Sequence, residues 1–146
     1  MSKSNACENS LLALIFNNTA FANIGDASGL QPSATAGSLY LSLHTADPGE
    51  AGNQSTNEIS YTGYARVAVA RSSGGFTVSG NSVTLTNDED FGKMTAGTGG
   101  TVTHFGVGTA SSGAGVLLYS GETDPDINIT NGIIPRLEAA TSITED

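Results

Sequence analysis

Two histidines, His44 and His104, are the only imidazole groups in the 146-residue chain. A histidine can act as a general base or activate a serine, but it then needs a nucleophile and an orienting carboxylate beside it. Both histidines fall within strands of alternating polarity, whereas catalytic residues usually lie in loops held by a scaffold. The chain has no tryptophan and four scattered tyrosines, which offer no aromatic platform for a sugar. We therefore expect no catalytic residue and predict that the chain is not an enzyme.

Two acidic clusters are further candidates for chemistry, Asp88-Glu89-Asp90 and Asp124-Pro125-Asp126. Carboxylates at this density in loops can bind Ca²⁺. Neither cluster has the EF-hand spacing, and acidic loops commonly need no ligand, so we expect no metal and no cofactor. The sequence alone leaves Ca²⁺ binding open. The single Cys7 excludes an internal disulfide and, with only two histidines, the usual Cys/His zinc site.

A glycine-rich run from Gly106 to Gly113 superficially resembles a phosphate-binding loop. Such a loop must lead directly into a helix whose N-terminus faces the phosphate. Here the run is followed by Val116-Leu117-Leu118-Tyr119, a pattern typical of a strand. The run is therefore predicted to connect two strands of a hairpin.

The charge balance excludes several classes of protein. Fourteen acidic and five basic residues give a net charge of −9, so phosphate neutralisation by clustered lysine and arginine is excluded and we expect no nucleic-acid partner. An anionic membrane surface is disfavoured for the same reason. The longest apolar run, Leu11 to Phe16, is far shorter than the roughly 18–20 residues of a membrane span. Because the N-terminus also lacks a signal-peptide pattern, we expect synthesis in the cytoplasm and no membrane partner.

The elements that must position these residues begin with one helix. Residues 5–16 have apolar side chains at helical spacing, and Asn5 with Glu8 resembles a capping box. The segment from Thr19 to Gly37 is predicted to be an ordered loop anchored by Phe21 and Ile24. A loop of this length is unusual in a compact domain and suggests contact with a partner.

From Ser38 onward the apolar period changes to two, which indicates strands. Leu39, Leu41 and Leu43 share one face, so His44 should lie on the opposite, polar or partner-facing side. Asn131-Gly132 favours a type I′ hairpin between Ile127–Thr130 and Ile133–Leu137. The other predicted strands are Ile59–Thr62, Tyr64–Arg71, Phe76–Ser79, Ser82–Thr86, Thr101–Gly108, Val116–Ser120 and Ala140–Thr144, with an acidic, glycine-rich loop over Asn87–Gly100 and a turn over Gly121–Asp126.

These patterns predict an all-β protein, a β-sandwich or jelly roll of about eight short antiparallel strands with one N-terminal α-helix. We divide it into a helix and ordered arm over residues 1–37 and a β-sandwich over residues 38–146, together forming a single domain. No internal repeat, heptad pattern or collagen-like tract is present that would build a long fibre shaft.

The composition of the predicted strands suggests an assembly subunit. Free-standing β-proteins usually protect sheet edges with lysine, but this chain has two lysines and neither falls in a predicted strand. Such edges stay soluble if neighbouring subunits cover them. Three arginines, Arg66, Arg71 and Arg136, lie on or beside strands and suit either interface contacts or internal ion pairs.

The chain resembles a family of small virion proteins of tailed bacteriophages, often labelled tail-fibre-like. The resemblance spans nearly the whole chain and includes the N-terminal helix; a stretch at Asn87–Lys93 departs from it. The residues that carry the resemblance lie in the runs Leu39–Glu50, Asn57–Val67, Thr103–Gly108, Gly115–Gly121 and Thr144–Asp146. The resemblance implies a structural role in the virion with no catalytic residues.

Two virion roles follow from this resemblance. Because fibres gain length from repeats or coiled coils, which this chain lacks, we favour a capsid decoration, or cement, protein on the capsid exterior. It would bind the major capsid protein lattice, stabilise the head and self-associate as a trimer or dimer. The alternative is a tail-fibre or tail-tip protein for host adsorption with a carbohydrate-binding β-sandwich. We expect the interface residues to be Leu11, Phe21, Ile24, Leu30, Tyr40, His44, Arg66, Arg71 and Arg136.

Overall fold

The computed structural model describes residues 2–145, so Asp146, the last residue of the predicted sandwich, lies outside the described residues. The described chain is mostly β, with three antiparallel sheets that do not close into a barrel and one N-terminal helix, which confirms the predicted fold class. Its elements are α1 (Asn5–Asn17), β1 (Ser38–His44), β2 (Val67–Ala70), β3 (Phe76–Ser79), β4 (Ser82–Leu85), β5 (Glu89–Asp90), β6 (Gly100–Gly108), β7 (Leu117–Ile129), β8 (Arg136–Leu137) and β9 (Ser142–Thr144). No helix among residues 2–145 has both the length and the apolar character that crossing a bilayer requires.

The chain forms two compact units, each built from separate segments. The first unit comprises Met1–Ser38, Val69–Asp88 and Glu138–Asp146, of which residues 2–145 are described; the second comprises Leu39–Ala68 and Glu89–Leu137. Strand β2 contributes residues to both.

In the first unit, α1 lies where the sequence predicts it, but its cap differs. Ser4, and not Asn5, is the N-cap residue, and its Oγ accepts a hydrogen bond from the Cys7 N–H at 3.4 Å. An N-cap residue must have extended backbone angles, which Ser4 has, whereas Asn5 is already helical. The fully buried side chains of the helix are Leu12 and Phe16, one turn apart.

The first unit buries α1 against a three-stranded antiparallel sheet of order β3-β4-β9. The Phe16 and Phe76 rings meet edge to face, with centroids 5.0 Å apart, an arrangement favoured by the aromatic quadrupole. The predicted strands Phe76–Ser79 and Ser82–Thr86 are confirmed as a hairpin about Gly80-Asn81, since β3 pairs with β4 from Phe76↔Leu85 to Ser79↔Ser82.

In the second unit, the four-stranded sheet has the order β2-β1-β6-β7. The predicted alternation of β1 is confirmed, because Leu39, Leu41 and Leu43 are all buried on one face. Phe105 and Val107 of β6 lie directly opposite Leu43 and Leu41, so they extend the same apolar face. This face forms a core of the second unit.

Three local predictions in the second unit are wrong. Gly121–Asp126 is not a turn that ends the strand, because β7 continues through it. A register shift there leaves four residues of β7 opposite one residue of β6. The strand after Asn131-Gly132 pairs with β5 instead of folding back on β7, whose ladder partner is β6. Ile59–Thr62 is not a strand, since only Thr62 within it forms a β-bridge, to Ala96. In each case long-range pairing overrides the local turn or strand signal.

Candidate functional site

The polar face of β1 carries a buried serine–histidine pair. Ser42 and His44 are both 0 % exposed, and Ser42 Oγ lies 2.8 Å from His44 Nε2. His44 Nδ1 lies 2.8 Å from the carbonyl oxygen of Thr56. Since a carbonyl only accepts, Nδ1 carries the proton and Nε2 accepts the Ser42 hydroxyl proton. His44 therefore lies on the polar face as predicted, but the loop through Thr56 covers it.

Burial lowers the pKa of His44, because desolvation disfavours the imidazolium ion. The neutral ring satisfies both of its nitrogens with groups of the second unit. The buried Ser42 hydroxyl has no surface that a substrate could reach. The pair therefore has the chemistry of a dyad but the placement of a structural anchor for the loop after β1.

Arg66 makes the densest polar contacts near this pair. Its Nε and Nη2 donate to the two carboxylate oxygens of Glu58, each at 2.7 Å. The same guanidinium donates to the carbonyl oxygens of Ala110 and Gly113 at 2.9 and 2.7 Å. The Tyr64 hydroxyl also donates to Glu58, and burial raises the pKa of Tyr64. Arg66 thus connects the loop before β7 to the loop after β1.

Gln54 is, like Ser42, a buried polar residue that the sequence pattern did not single out. It is 0 % exposed, and its Oε1 accepts the Ala110 N–H at 2.9 Å. A Cβ at Gly108 or Gly115 would lie 2.1 or 2.2 Å from Gln54 atoms, so only glycine permits this packing. The residue stands in a polar stretch, and its burial depends on contacts far away in sequence. No local signal indicates it.

A surface groove of about 600 Å³ crosses the second unit. It is lined by the loop residues Asp47, Gly49, Glu50 and Gly52, by His104, and by the β7 residues Leu117–Glu122. His104 faces Glu122 across the β6–β7 ladder, and its Nδ1 lies 2.9 Å from Thr103 Oγ1. Among residues 2–145 no three histidine, cysteine, aspartate or glutamate side chains come together as metal ligands would.

The acidic cluster Asp88–Asp90 has separate structural roles for two of its members. Asp88 Oδ1 accepts the Ala139 N–H at 2.9 Å in the first unit. Asp90 belongs to the second unit and pairs with Arg136 at 2.6 and 2.8 Å, which lowers its pKa. Burial raises the pKa of Glu89.

The glycine-rich run after Gly106 connects β6 to β7, which confirms the predicted hairpin.

The predicted interface residues fall in both units. Five belong to the first unit: Leu11, Phe21, Ile24, Leu30 and Arg71; four belong to the second: Tyr40, His44, Arg66 and Arg136. Ile24, Leu30 and Arg136 are exposed, whereas His44 and Arg66 are buried. Leu11, Phe21, Tyr40 and Arg71 are half-buried.

The exposed pair Ile24 and Leu30 lies on a closed loop of the first unit. Phe21 and Leu30 exchange two backbone hydrogen bonds of 3.0 and 2.9 Å at the base of this loop. Asp26 accepts N–H bonds from Ser28 and Gly29 within it. Ile24 and Leu30 stay 43 % and 45 % exposed, so the loop holds apolar side chains in water.

Arg71 supports the end of α1. Its Nε and Nη2 donate to the carbonyl oxygens of Ile15 and Leu14 at 2.7 Å each, and Nη1 donates to Ala36. The last carbonyls of a helix lack intrahelical donors, and a cation there also complements the helix dipole. Arg71 therefore makes contacts inside its own unit.

With the geometry established, the chain can be compared with known proteins. A family model described as podophage GP4 fiber I protein gp80 matches residues 2–144, which include every described residue except Glu145. A search of curated proteins finds no match.

Proposed function

The chain belongs to the podophage GP4 fiber I protein family, and on this premise we propose that it is a non-enzymatic structural subunit of the tail-fibre apparatus of a tailed bacteriophage. The observation that carries the proposal is the family match over residues 2–144. Its expected partners are other virion proteins and further copies of itself.

The placement of the candidate catalytic groups supports the non-enzymatic part of this proposal. Ser42 and His44 are within hydrogen-bond reach, yet both are fully buried. A nucleophile has to reach the reacting atom of a substrate. We expect no hydrolysis of esters or polysaccharides by the purified chain. Hydrolysis that Ser42→Ala abolishes would contradict this part of the proposal.

A second candidate function is capsid decoration, in which the chain binds the major capsid protein and stabilises the head. The described residues form two compact units and contain no coiled coil, which suits a cement protein better than a shaft. The sheet edges in the described chain carry no lysine, which suits burial in any virion lattice.

Copy number per purified particle tests both candidates. Quantitative mass spectrometry should give on the order of a dozen copies for a tail component and hundreds for a decoration protein, following the symmetry of each structure. Absence of the chain from mature particles would overturn both.

Particles that lack the chain separate the two roles by phenotype. Particles missing a tail-fibre subunit should keep intact heads and fail to adsorb to the host. Particles missing a cement protein should have heads that break on dilution into low salt. A glycan array with the isolated chain would show whether a tail-fibre role includes direct binding of host carbohydrate.

A further inference from the structure

Strand β7 forms one outer edge of the four-stranded sheet in the second unit. Its ladder partner is β6, with an unbroken register from His104↔Glu122 to Val107↔Tyr119. Along an antiparallel strand, alternate residues direct their N–H and C=O groups toward one neighbour or the other. No strand pairs with β7 on the side away from β6, and the backbone groups of Ser120 and Glu122 make no backbone–backbone bond to a described residue on that side. The outer edge therefore presents unpaired donors and acceptors.

The ladder shows which residues of β7 point outward. The backbone of Leu43 faces away from β6, since its N–H bonds Tyr64 and its C=O bonds Ile59. Phe105, which lies opposite Leu43, must then bond to Gly121 on β7. The neighbours of Gly121, Ser120 and Glu122, consequently direct their N–H and C=O groups outward.

The side chains along this edge offer little protection against strand addition. Native edges are usually blocked by lysine, proline or an early bulge. A bulge at Leu118 interrupts the start of the strand, but Tyr119–Glu122 after it has none of these, and Leu118 is 36 % exposed. Val116, directly before it, is 59 % exposed. The edge is thus open, regular from Tyr119 to Glu122 and apolar at its start.

Charge decides which kind of strand fits this edge. Glu122 on the edge and Glu50 across the adjacent groove are carboxylates, and Asp124 and Asp126 follow on the same strand. None of these four has a hydrogen bond or ion pair among residues 2–145. Like charges opposite each other destabilise a ladder and opposite charges stabilise it, so these carboxylates disfavour an acidic strand and favour one with lysine or arginine.

A second copy of this chain does not supply such a strand. Three of its five basic residues are in ion pairs, Lys3 with Glu145, Arg66 with Glu58 and Arg136 with Asp90. Lys93 is exposed but lies outside every strand. Arg71 donates to carbonyl groups of its own unit. Two chains of net charge −9 also repel each other.

We propose that the outer edge of β7 over Leu117–Glu122 is a docking site for a basic strand of another protein, which extends the sheet by β-augmentation. The unpaired backbone groups supply the binding and the carboxylates select a strand with lysine or arginine at alternate positions. This goes beyond the proposed function, because it concerns a surface of the isolated chain whatever its place in the particle.

Binding of a labelled peptide of alternating lysine and valine to the purified full chain tests the proposal by fluorescence anisotropy. We expect saturable binding that weakens with added salt. The same peptide N-methylated at every residue should bind at least about tenfold more weakly, because it lacks the donors of a ladder. A peptide of alternating glutamate and valine should bind no better than the methylated one.

Two variants at one position assign the binding to β7. Ser120→Pro removes an outward N–H and should lower affinity for the lysine–valine peptide by about tenfold, whereas Ser120→Ala keeps the N–H and should bind as the parent does. Circular dichroism checks that both variants fold. If Ser120→Pro does not fold, the comparison of the N-methylated peptide with the unmethylated peptide on the parent chain still tests strand addition.

Three outcomes would overturn the proposal. Equal binding of the methylated peptide excludes strand addition, and equal binding of the acidic peptide excludes selection of a cationic strand. A stable dimer at physiological salt that Ser120→Pro converts to a monomer identifies the occupant as a second copy of this chain.

Discussion

Arg66 shows at the scale of single residues how a buried charge organises the second unit. Its side chain is 2 % exposed, and it donates to Glu58 and to two loop carbonyls. A buried guanidinium is tolerated only if its donors are matched, because desolvating a charge costs several kcal/mol. Arg66 donates five hydrogen bonds, of which the Glu58 carboxylate accepts two and also supplies the opposite charge; Ala110, Gly113 and Ser55 accept the other three.

Glu58→Gln should therefore destabilise the chain by about 3 kcal/mol, since it leaves a buried cation without its counter-charge. Urea denaturation followed by circular dichroism measures the loss. Asp90→Asn is the matched control, because it removes the carboxylate from an Arg136 pair whose two side chains are about half exposed. Water screens that pair, so its unfolding midpoint should hardly move. Equal losses in the two variants would contradict the role assigned to burial.

His44 should make the stability of the chain depend on pH. Because burial lowers the pKa of His44 in the folded state, the unfolded chain binds a proton more readily than the folded chain below the ordinary value of 6.5. Stability is thus complete above about pH 6.5 and falls as the pH drops through that value, by at most about 1.4 kcal/mol per pH unit.

Urea denaturation between neutral and mildly acidic pH measures this effect. The slope that begins near pH 6.5 should disappear in His44→Gln and persist in a His104→Gln control. If His44→Gln does not fold, NMR titration of the His44 ring in the parent chain gives its pKa directly. A His44 pKa above its ordinary value would refute the prediction.

At the scale of elements, strands long enough to show an alternating apolar pattern could be predicted from the sequence. Two-residue strands that form only by pairing with a distant segment could not. The alternation of Leu39, Leu41 and Leu43 indicates both β1 and its buried face. Strands β5 and β8 have two residues each, too few to show a period, and they pair across about 46 positions of sequence. Burial of Gln54 has the same cause, since its partner Ala110 is also remote.

The close approach of the backbone segments at Gly63 and Gly92 leads to a prediction about the substitution of a glycine. A Cβ on Gly92 would lie 1.7 Å from the Gly63 carbonyl oxygen, so the Gly63 and Gly92 segments must separate to admit one. Gly92→Ala should cost about 2 kcal/mol, within the range for overpacked sites. Gly74→Ala is the control, since its Cβ meets only Ser72 Oγ at 3.5 Å. The free energy of unfolding in urea compares them, and similar values for both would contradict the prediction.

At the scale of the whole molecule, charge and edge chemistry oppose each other. The net charge of −9 keeps copies of the chain apart, whereas sheet edges without lysine favour association. Repulsion between surface charges acts over a Debye length of about 8 Å at physiological salt, which shrinks to about 3 Å at 1 M. The tendency of the sheet edges to associate can therefore be measured at high salt, where the repulsion between chains is screened.

The purified chain should self-associate reversibly as NaCl rises toward about 1 M, because screening leaves its open edges unopposed. Sedimentation velocity measures the change in mass. Ser120→Lys places a charge on the β7 edge and should suppress association, while Asn131→Lys adds the same charge on the exposed turn after β7 and should not. If the two lysine variants behave alike, net charge and not the β7 edge controls the solubility of the chain. If only Ser120→Lys loses association, the unprotected edge of the fold is β7, the strand that we also propose as the docking site for a basic partner.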